Sequence, residues 1–336
     1  MLGIDVGTSS AKIVEATRQG GEFILTNYGE LINEGSVRAI HSASIKILDV
    51  QVAEIIRHIL SEARITTREA VMGIPLFSSF STLIDLPVMS EEELEKAVTY
   101  EARKYIPVPL GEVTFDWMPL EILSSPQKIK VLAVAVPTEV INKYHTIADL
   151  TGLRLRDIEL ETFSAARALV GEKNDPVIIL DIGARTTNIS ITEKGMVIMH
   201  HNTDISGLEF TRVLAQGVGV DFQRAEELKK KNGLEEDKEI AGLLSPLLQS
   251  LFSEVLRVMQ EYVRQGGSRP ASLVLSGGSA YLKGLVAYTQ KSLDVKTYLG
   301  DSFRALSYPP LLAETLREIG PSFTVATGLA LRRNNH

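Results

Sequence analysis

The stretch MLGIDVGTSSAKIVEA that opens the chain returns in pattern as VIILDIGARTTNISIT, with its aspartate 176 positions further on. Aligned on that acid, Asp5 matches Asp181, Gly7 matches Gly183, Ser10 matches Thr186, and Lys12 stands opposite Asn188. Each copy reads as an apolar strand ending in a carboxylate, a turn of glycine and small hydroxyl residues, and a second strand. A chain that makes the same acid-tipped hairpin twice is directed toward folds with two related halves, each with a sheet to bury its strand.

The residue types of the hairpin point to phosphate chemistry. A glycine turn with small neighbours lets backbone N–H groups approach phosphate oxygens that a bulky side chain would block. Lys12 adds a point charge, and carboxylates at the ends of buried strands suit hydrated Mg2+ better than they suit an apolar core. A single D-x-G-x-[ST] is more often only a turn; two facing copies would grip a polyphosphate from both sides. A third element, SLVLSGGSAYLKGL, is an apolar strand, then Gly277 and Gly278, then a helix expected from near Ala280, which lets backbone approach a base or phosphate.

Composition narrows the setting. The 336 residues suggest two domains, at about 150 residues each. A net charge of −7 argues against a general nucleic-acid binder. The absence of cysteine excludes disulfides and thiolate sites, and fits a reducing cytoplasm. Residues 1–6 lead straight into a strand without a signal-peptide pattern, and the longest apolar runs, such as Val131–Val136, fall far short of the roughly 20 residues of a membrane span. A cytoplasmic protein is expected, reaching a membrane only through a partner. The six histidines show no metal-ligand spacing, and His200 and His201, adjacent on a strand, should face opposite ways.

Strands are expected at Leu2–Val6, Ala11–Thr17, Glu22–Leu31 and Ala70–Ile74, with a helix carrying Val52, Ile56 and Ile59 between the last two. From about Phe80 to Leu155 the pattern is strand, helix, strand, strand, helix. Ser90 with Glu93 caps the first of these helices, and strands are expected at Val113–Ile122 and Ile129–Val136. The proline-punctuated exit IPVPLGEV is expected to lie extended beside the strand TLIDLP and offer an edge with an apolar floor. Beyond it, ELETFSAARALV reads as a helix, Val197–Asn202 as a strand, and Gly207–Gln216 and Phe222–Asn232 as helices, the latter stopped by Gly233. A long helix through Leu247, Leu251, Val255 and Tyr262 ends at Gly266 and Gly267.

With these elements in this order, the chain resembles the actin-like ATPase superfamily of actin, DnaK-type chaperones, sugar kinases and FtsA. DVGTSSAK is similar to the superfamily's first phosphate loop, DIGARTTN to its second and LSGGSAYLKGL to its adenosine motif. ELETFSAARAL resembles the first connecting helix, with Glu161 at the acidic position. YEARKYIPVPLGEV, DISGLEFTRVLAQGVGVDFQRAEELKKKNG and the ending FTVATGLALRR are similar, in content and order, to the PilM family of type IV pilus assembly proteins.

The resemblance implies an α/β, actin-like (ribonuclease H-like) two-lobed ATPase fold with a small 1C (SHS2-like) insert in the place of actin's 1B. It implies subdomain 1A at 1–79 and 156–176, 1C at 80–155, 2A at 177–215 and 267–336, and 2B at 216–266. It implies ATP and Mg2+ as cofactors. Gly7, Thr8, Ser9, Ser10 and Lys12 would bind from the first loop, and Gly183, Thr186, Thr187 and Asn188 from the second. Gly207, Glu226, Lys229, Gly277, Gly278 and Ser279 would line the adenosine end. Asp5, Glu161 and Asp181 would be the carboxylates nearest the chemistry, with Asp5 and Asp181 holding Mg2+ through water.

For Glu226 and Lys229 the alternative is an exposed ion pair worth about 0.2–0.5 kcal/mol. The second loop departs from the superfamily in having Ala184 and Arg185, and no separate catalytic base stands out, so ATP binding with slow hydrolysis is expected. Arg185 either contacts the terminal phosphate or points to solvent. The implied partner is the N-terminal cytoplasmic peptide of PilN, held in a groove between the first subdomain and the insert. Other pilus platform proteins and self-association are further implied contacts. The alternatives are an FtsA-like filament protein, which would add an amphipathic membrane helix after LALRRNNH, and a small-molecule kinase, for which no proton-abstracting aspartate is evident.

Overall fold

The computed structural model describes residues 1–32, 49–120, 127–171, 175–235 and 237–332. β1 (Leu2–Val6), β2 (Ser10–Gln19) and β3 (Glu22–Ile32) form an antiparallel meander, and after the helix Asp49–Glu62 the chain returns as β4 (Glu69–Ile74), parallel to β1. The insert follows: β5 (Phe80–Pro87), helix Glu91–Ala102, β6 (Val113–Pro119) and β7 (Lys128–Pro137), in the order β5-β7-β6. The expected capping box is formed, with Ser90 Oγ accepting from Glu93 N at 3.4 Å and Glu93 Oε2 from Ser90 N at 3.0 Å. β7 runs without a linker into the helix Thr138–Thr151, and β8 (Arg154–Leu160) then lies parallel to β4.

The second half repeats the plan. After the helix Glu161–Leu169, β9 (Val177–Ile182), β10 (Thr187–Glu193) and β11 (Met196–Thr203) form the second meander. Helices Gly207–Val218, Phe222–Asn232 and Lys238–Arg264 follow, then β12 (Ser272–Ser276), helix Leu285–Leu293 and β13 (Lys296–Leu299). This sheet has the order β11-β10-β9-β12-β13. β14 (Leu306–Ser307) crosses back to pair with β3, completing the first sheet as β14-β3-β2-β1-β4-β8, and helix Thr324–Ala330 covers β1. The result is the two-lobed α/β architecture, with a third sheet inserted in the first lobe. No helix among the described residues is long and apolar enough to cross a membrane.

Several expectations shift. Glu159 and Leu160 belong to β8, paired with Gly73 and Ile74, so the helix begins only at Glu161. The turn after β12 is a 3-10 segment, Gly278–Tyr281, with the α-helix delayed to Leu285. The strand expected at Val113–Ile122 ends at Pro119, and its last positions lie outside the described residues. Residues Ile106–Val113 lead into β6, which β7 separates from β5; Ile106 and Val113 fill the insert's own core, so the exit segment does not flank TLIDLP.

Core packing runs across the subdomains that the resemblance implies. Tyr144, Ile147 and Ala148, grouped with the insert, pack with Val52, Ile56 and Ile59 of the first lobe. Phe303, Leu306, Phe323, Ala326 and Ala330, grouped with the second lobe, pack on Val14, Ala16 and Leu25 of the first. Residues 216–266 share one continuous core with the rest of the second lobe.

The insert's sheet uses both faces, as the period of two in a strand allows. Ile84, Leu86, Val131, Ala133 and Ala135 meet Leu94, Val98 and Ala102 of its helix. The opposite face, with Leu83, Met118, Leu120, Leu132 and Val134, packs into the core of the second lobe, where Ser81 Oγ meets His200 Nε2. Burial pushes the His200 imidazole down to about 4 and keeps it neutral. His201 faces the other way, against Glu254 at 3.1 Å and Arg257 at 2.9 Å.

The terminal helix approaches its neighbours closely because two glycines make room. A Cβ on Gly3 would lie 2.0 Å from the Ala326 carbonyl oxygen, and one on Gly328 would lie 1.9 Å from that of Ser164. Backbone cannot yield as a side-chain tip can. Gly328→Ala should therefore destabilise the protein by about 3 kcal/mol, the upper end for overpacking, measured by urea denaturation.

Candidate functional site

The two hairpins close with the same hydrogen bond. Gly7 N donates to the Ser10 carbonyl at 3.0 Å, and Gly183 N to the Thr186 carbonyl at 3.0 Å. Their registers match as well, with Asp5 abreast of Lys12 and Asp181 abreast of Asn188. A Cβ on Gly183 would lie 2.8 Å from the Thr186 carbonyl oxygen, so the tightness of that turn requires glycine.

β12 runs parallel to β9 and sets Ser276 beside Asp181. Gly277 then turns with φ +84°, and a Cβ there would fall 2.5 Å from Asp181 Oδ1. Gly207 N donates to the Gly183 carbonyl at 3.0 Å, and a Cβ on Gly207 would lie 2.2 Å from Ser279 Oγ. All three motifs thus converge on one place.

That place is a cleft of about 1260 Å³ between the lobes. Asp5, Gly7, Thr8, Ser9, Ser10, Lys12, Glu161, Asp181, Gly183, Thr186, Asn188, Gly207, Glu226, Lys229, Gly277, Gly278 and Ser279 all line it. Thr187 does not. It is fully buried on β10 and its hydroxyl donates to the Ile205 carbonyl at 2.6 Å, because alternation along the strand turns it away while Thr186 and Asn188 face the cleft. Arg185 is exposed and also on the lining.

Three carboxylates meet at the cleft's floor. Burial pushes Asp181 up to about 6, with the Asp5 carboxylate adding to it and Ser276 opposing. Asp5 is raised by burial against the pull of Lys12. Glu161, at the start of its helix, is raised well above the ordinary range by burial and then by Asp5 and Asp181. Its Oε2 accepts from Asn188 Nδ2 at 3.5 Å, and Asn188 Oδ1 accepts from Asn202 Nδ2 at 2.7 Å. Lys12 divides its charge, with an ion pair to Glu30 at 3.2 Å.

Carboxylate oxygens gathered at one floor suit a hard divalent cation once they ionise. Among the described residues no three His, Cys, Asp or Glu side chains are placed to hold a metal by themselves, so water and phosphate oxygens would complete the shell of an ion bound here.

At the other end, Lys229 is 7% exposed. Its ammonium donates to the Gly207 carbonyl at 2.9 Å and to Thr211 Oγ1 at 2.8 Å, and pairs with Glu226 at 2.7 Å. Burial lowers its pKa against the pull of Glu226. Burial alone would raise Glu226, yet Lys229 and Thr211 hold it below the usual range. The pair is therefore a buried brace between two helices, which removes the exposed-pair alternative.

Sequence reasoning missed one wall. Val140, Lys143, Tyr144 and Ile147 of the helix Thr138–Thr151 line the same cleft. Their helical spacing was legible, but the helix had been grouped with the insert.

The profile of a family described as "Type IV pilus assembly protein PilM" matches residues 3–334. A solved structure titled "PilM-PilN type IV pilus biogenesis complex" superposes with a TM-score of 0.84 at 27% identity, covering 98% of this chain and 97% of that one. MreB5 of Spiroplasma citri bound to ADP superposes with a TM-score of 0.53 at 13% identity, covering 91% and 93%, a likeness of fold alone. The cell division protein FtsA of Bacillus subtilis is 22% identical over 339 residues, 87% of this chain and 76% of that protein.

Because burial lifts folded Asp181 to about 6, the folded state keeps a proton that the unfolded chain releases near pH 4. Its ionisation then costs stability as pH rises between those values. Asp181→Asn, which cannot ionise, should gain on the wild type across that window by about 2 kcal/mol. Paired denaturant titrations at pH 4.5 and pH 7.5 would measure the change.

Proposed function

The chain belongs to the PilM family of type IV pilus assembly proteins, and from that premise we propose that it binds ATP with Mg2+ and uses its insert to engage the N-terminal cytoplasmic peptide of PilN. The observation that carries the nucleotide reading is the pair of matching glycine turns opening on one cleft whose floor holds Asp5, Glu161 and Asp181. Gly7 and Gly183, whose own N–H groups close the turns, would let a phosphate come close, and the remaining backbone N–H groups of those turns, with Lys12, would hold it. Gly277–Ser279 and the Glu226–Lys229 brace would hold the adenosine end. Asp5 and Asp181 would hold Mg2+ through water, and the ion would supply positive charge that neutralises the phosphates.

Hydrolysis should be slow. Glu161 is the carboxylate closest to a base, but burial and then Asp5 and Asp181 favour its protonated form, and Arg185 replaces a smaller residue in the second loop. Turnover is expected below the typical enzyme value of about 10 per second, as read by phosphate release from a contaminant-free sample.

The partner reading rests on the family and on the insert, whose outer strands β5 and β6 each pair on one side only among the described residues. An extended peptide adds to such an edge through main-chain hydrogen bonds. The protein would then sit at the cytoplasmic face of the inner membrane through PilN.

Asp181→Ala should abolish Mg2+–ATP binding in calorimetry while the circular dichroism spectrum stays that of the wild type. Wild-type affinity in the folded variant would refute the site. A synthetic PilN N-terminal peptide should be retained by the immobilised protein and a scrambled peptide should not.

A further inference from the structure

Tyr144 is a polar group on the cleft wall that the nucleotide reading leaves without a task. It is 7% exposed, its ring packed with Val52, Ile56 and Ile147, and it lines the cleft beside the floor carboxylates. Among the described residues its hydroxyl has no hydrogen-bond partner. Burial, then Glu161 and Asp5, push its pKa far above the ordinary tyrosine value, so the phenol faces those carboxylates as a neutral O–H donor. The hydroxyl opens onto the solvent of the cleft, so a ligand that displaces that solvent must bring an acceptor in its place. A phosphate oxygen or a water of a hydrated ion would provide that acceptor.

The position of Tyr144 along the chain gives this contact a second consequence. It lies in the second turn of the helix Thr138–Thr151, which continues directly from Pro137, the last residue of β7. β7 is the central strand of the insert's sheet. The same helix is tied to the helix Asp49–Glu62 by Lys143 and Asp49 at 3.5 Å. A pull on Tyr144 therefore reaches the middle of the insert with no flexible joint between.

Resting on the proposed function, we propose that Tyr144 is a positioning residue: its phenol donates a hydrogen bond into the polyphosphate–ion end of the cleft, and through the helix that carries it this contact couples nucleotide occupancy to the insert's affinity for its peptide.

The test is Tyr144→Phe in the full chain, which keeps the ring packing and removes only the donor. Titration with a fluorescent ATP analogue and Mg2+ should show affinity about tenfold weaker, as for loss of one charge-assisted hydrogen bond. AMP, which lacks the outer phosphates, should bind as in the wild type. Binding of the PilN peptide without nucleotide should be unchanged, and the change in peptide affinity that Mg2+–ATP produces in the wild type should be lost. Tyr144→Met, also without a donor, serves if the phenylalanine variant melts early. The inference is overturned if the variant binds Mg2+–ATP within twofold of the wild type, if AMP weakens equally, or if the full nucleotide effect on peptide binding survives. Wild-type protein that binds no Mg2+–ATP would instead sink the functional reading, and this inference with it.

Discussion

Three carboxylates gathered at one floor, Asp5 buried and Asp181 and Glu161 half-buried, are the constraint on which the rest of the cleft depends. Asp5 comes from the first sheet, Asp181 from the second, and Glu161 from the helix joining the lobes. Beyond burial, Asp5 raises the proton affinity of Asp181, both raise that of Glu161, and Lys12, which pulls all three the other way, is shared with Glu30. Such a group stays in place only because rigid elements carry it: β1 and β9 lie inside their sheets, and the connecting helix is wedged under the terminal one. Ionising these acids side by side costs stability, and a bound cation would relieve that cost.

Rigidity around that floor comes from glycines used as contacts. Gly277 admits the Asp181 carboxylate, Gly207 admits Ser279, and with the Gly207–Gly183 hydrogen bond these contacts tie the turn after β12 to the turn between β9 and β10. Ser276 joins the same group to the terminal segment, donating to Thr324 Oγ1 at 2.8 Å. A methyl group at either glycine would separate loops whose alignment is the site. Binding geometry and fold stability are thus set by the same few contacts.

The doubled hairpin was legible because its whole content is local: strand, acid, glycine, hydroxyls, in fourteen or so residues of pattern. The helix cap at Ser90 was legible for the same reason. Thr187 was also readable, since alternation beside Thr186 and Asn188 already turns it inward. What sequence could not give is what distant chain does to a residue. The i, i+3 pair of Glu226 and Lys229 looks like any surface pair until Thr211 and the Gly207 carbonyl close over it. β14 is two residues long and finds its place only by pairing with β3, so the return of the C-terminal segment to the first lobe left no local trace.

The insert shows how far such distant packing reaches. A module hung on a loop would have one apolar face, covered by its own helix. This sheet has two, and the second is spent on the core of the opposite lobe, with Leu120 and Leu132 fully enclosed there. The neutral, buried His200 against Ser81 adds a polar pin to that seam. The insert is therefore held by the first lobe through the helix Thr138–Thr151 and by the second lobe through its sheet. Any rotation of the lobes about the cleft must strain or slide one of these contacts, because packed surfaces rearrange in steps rather than stretch. A partner seated on the insert thereby acts on the lobes' relative position, whether or not it touches the cleft.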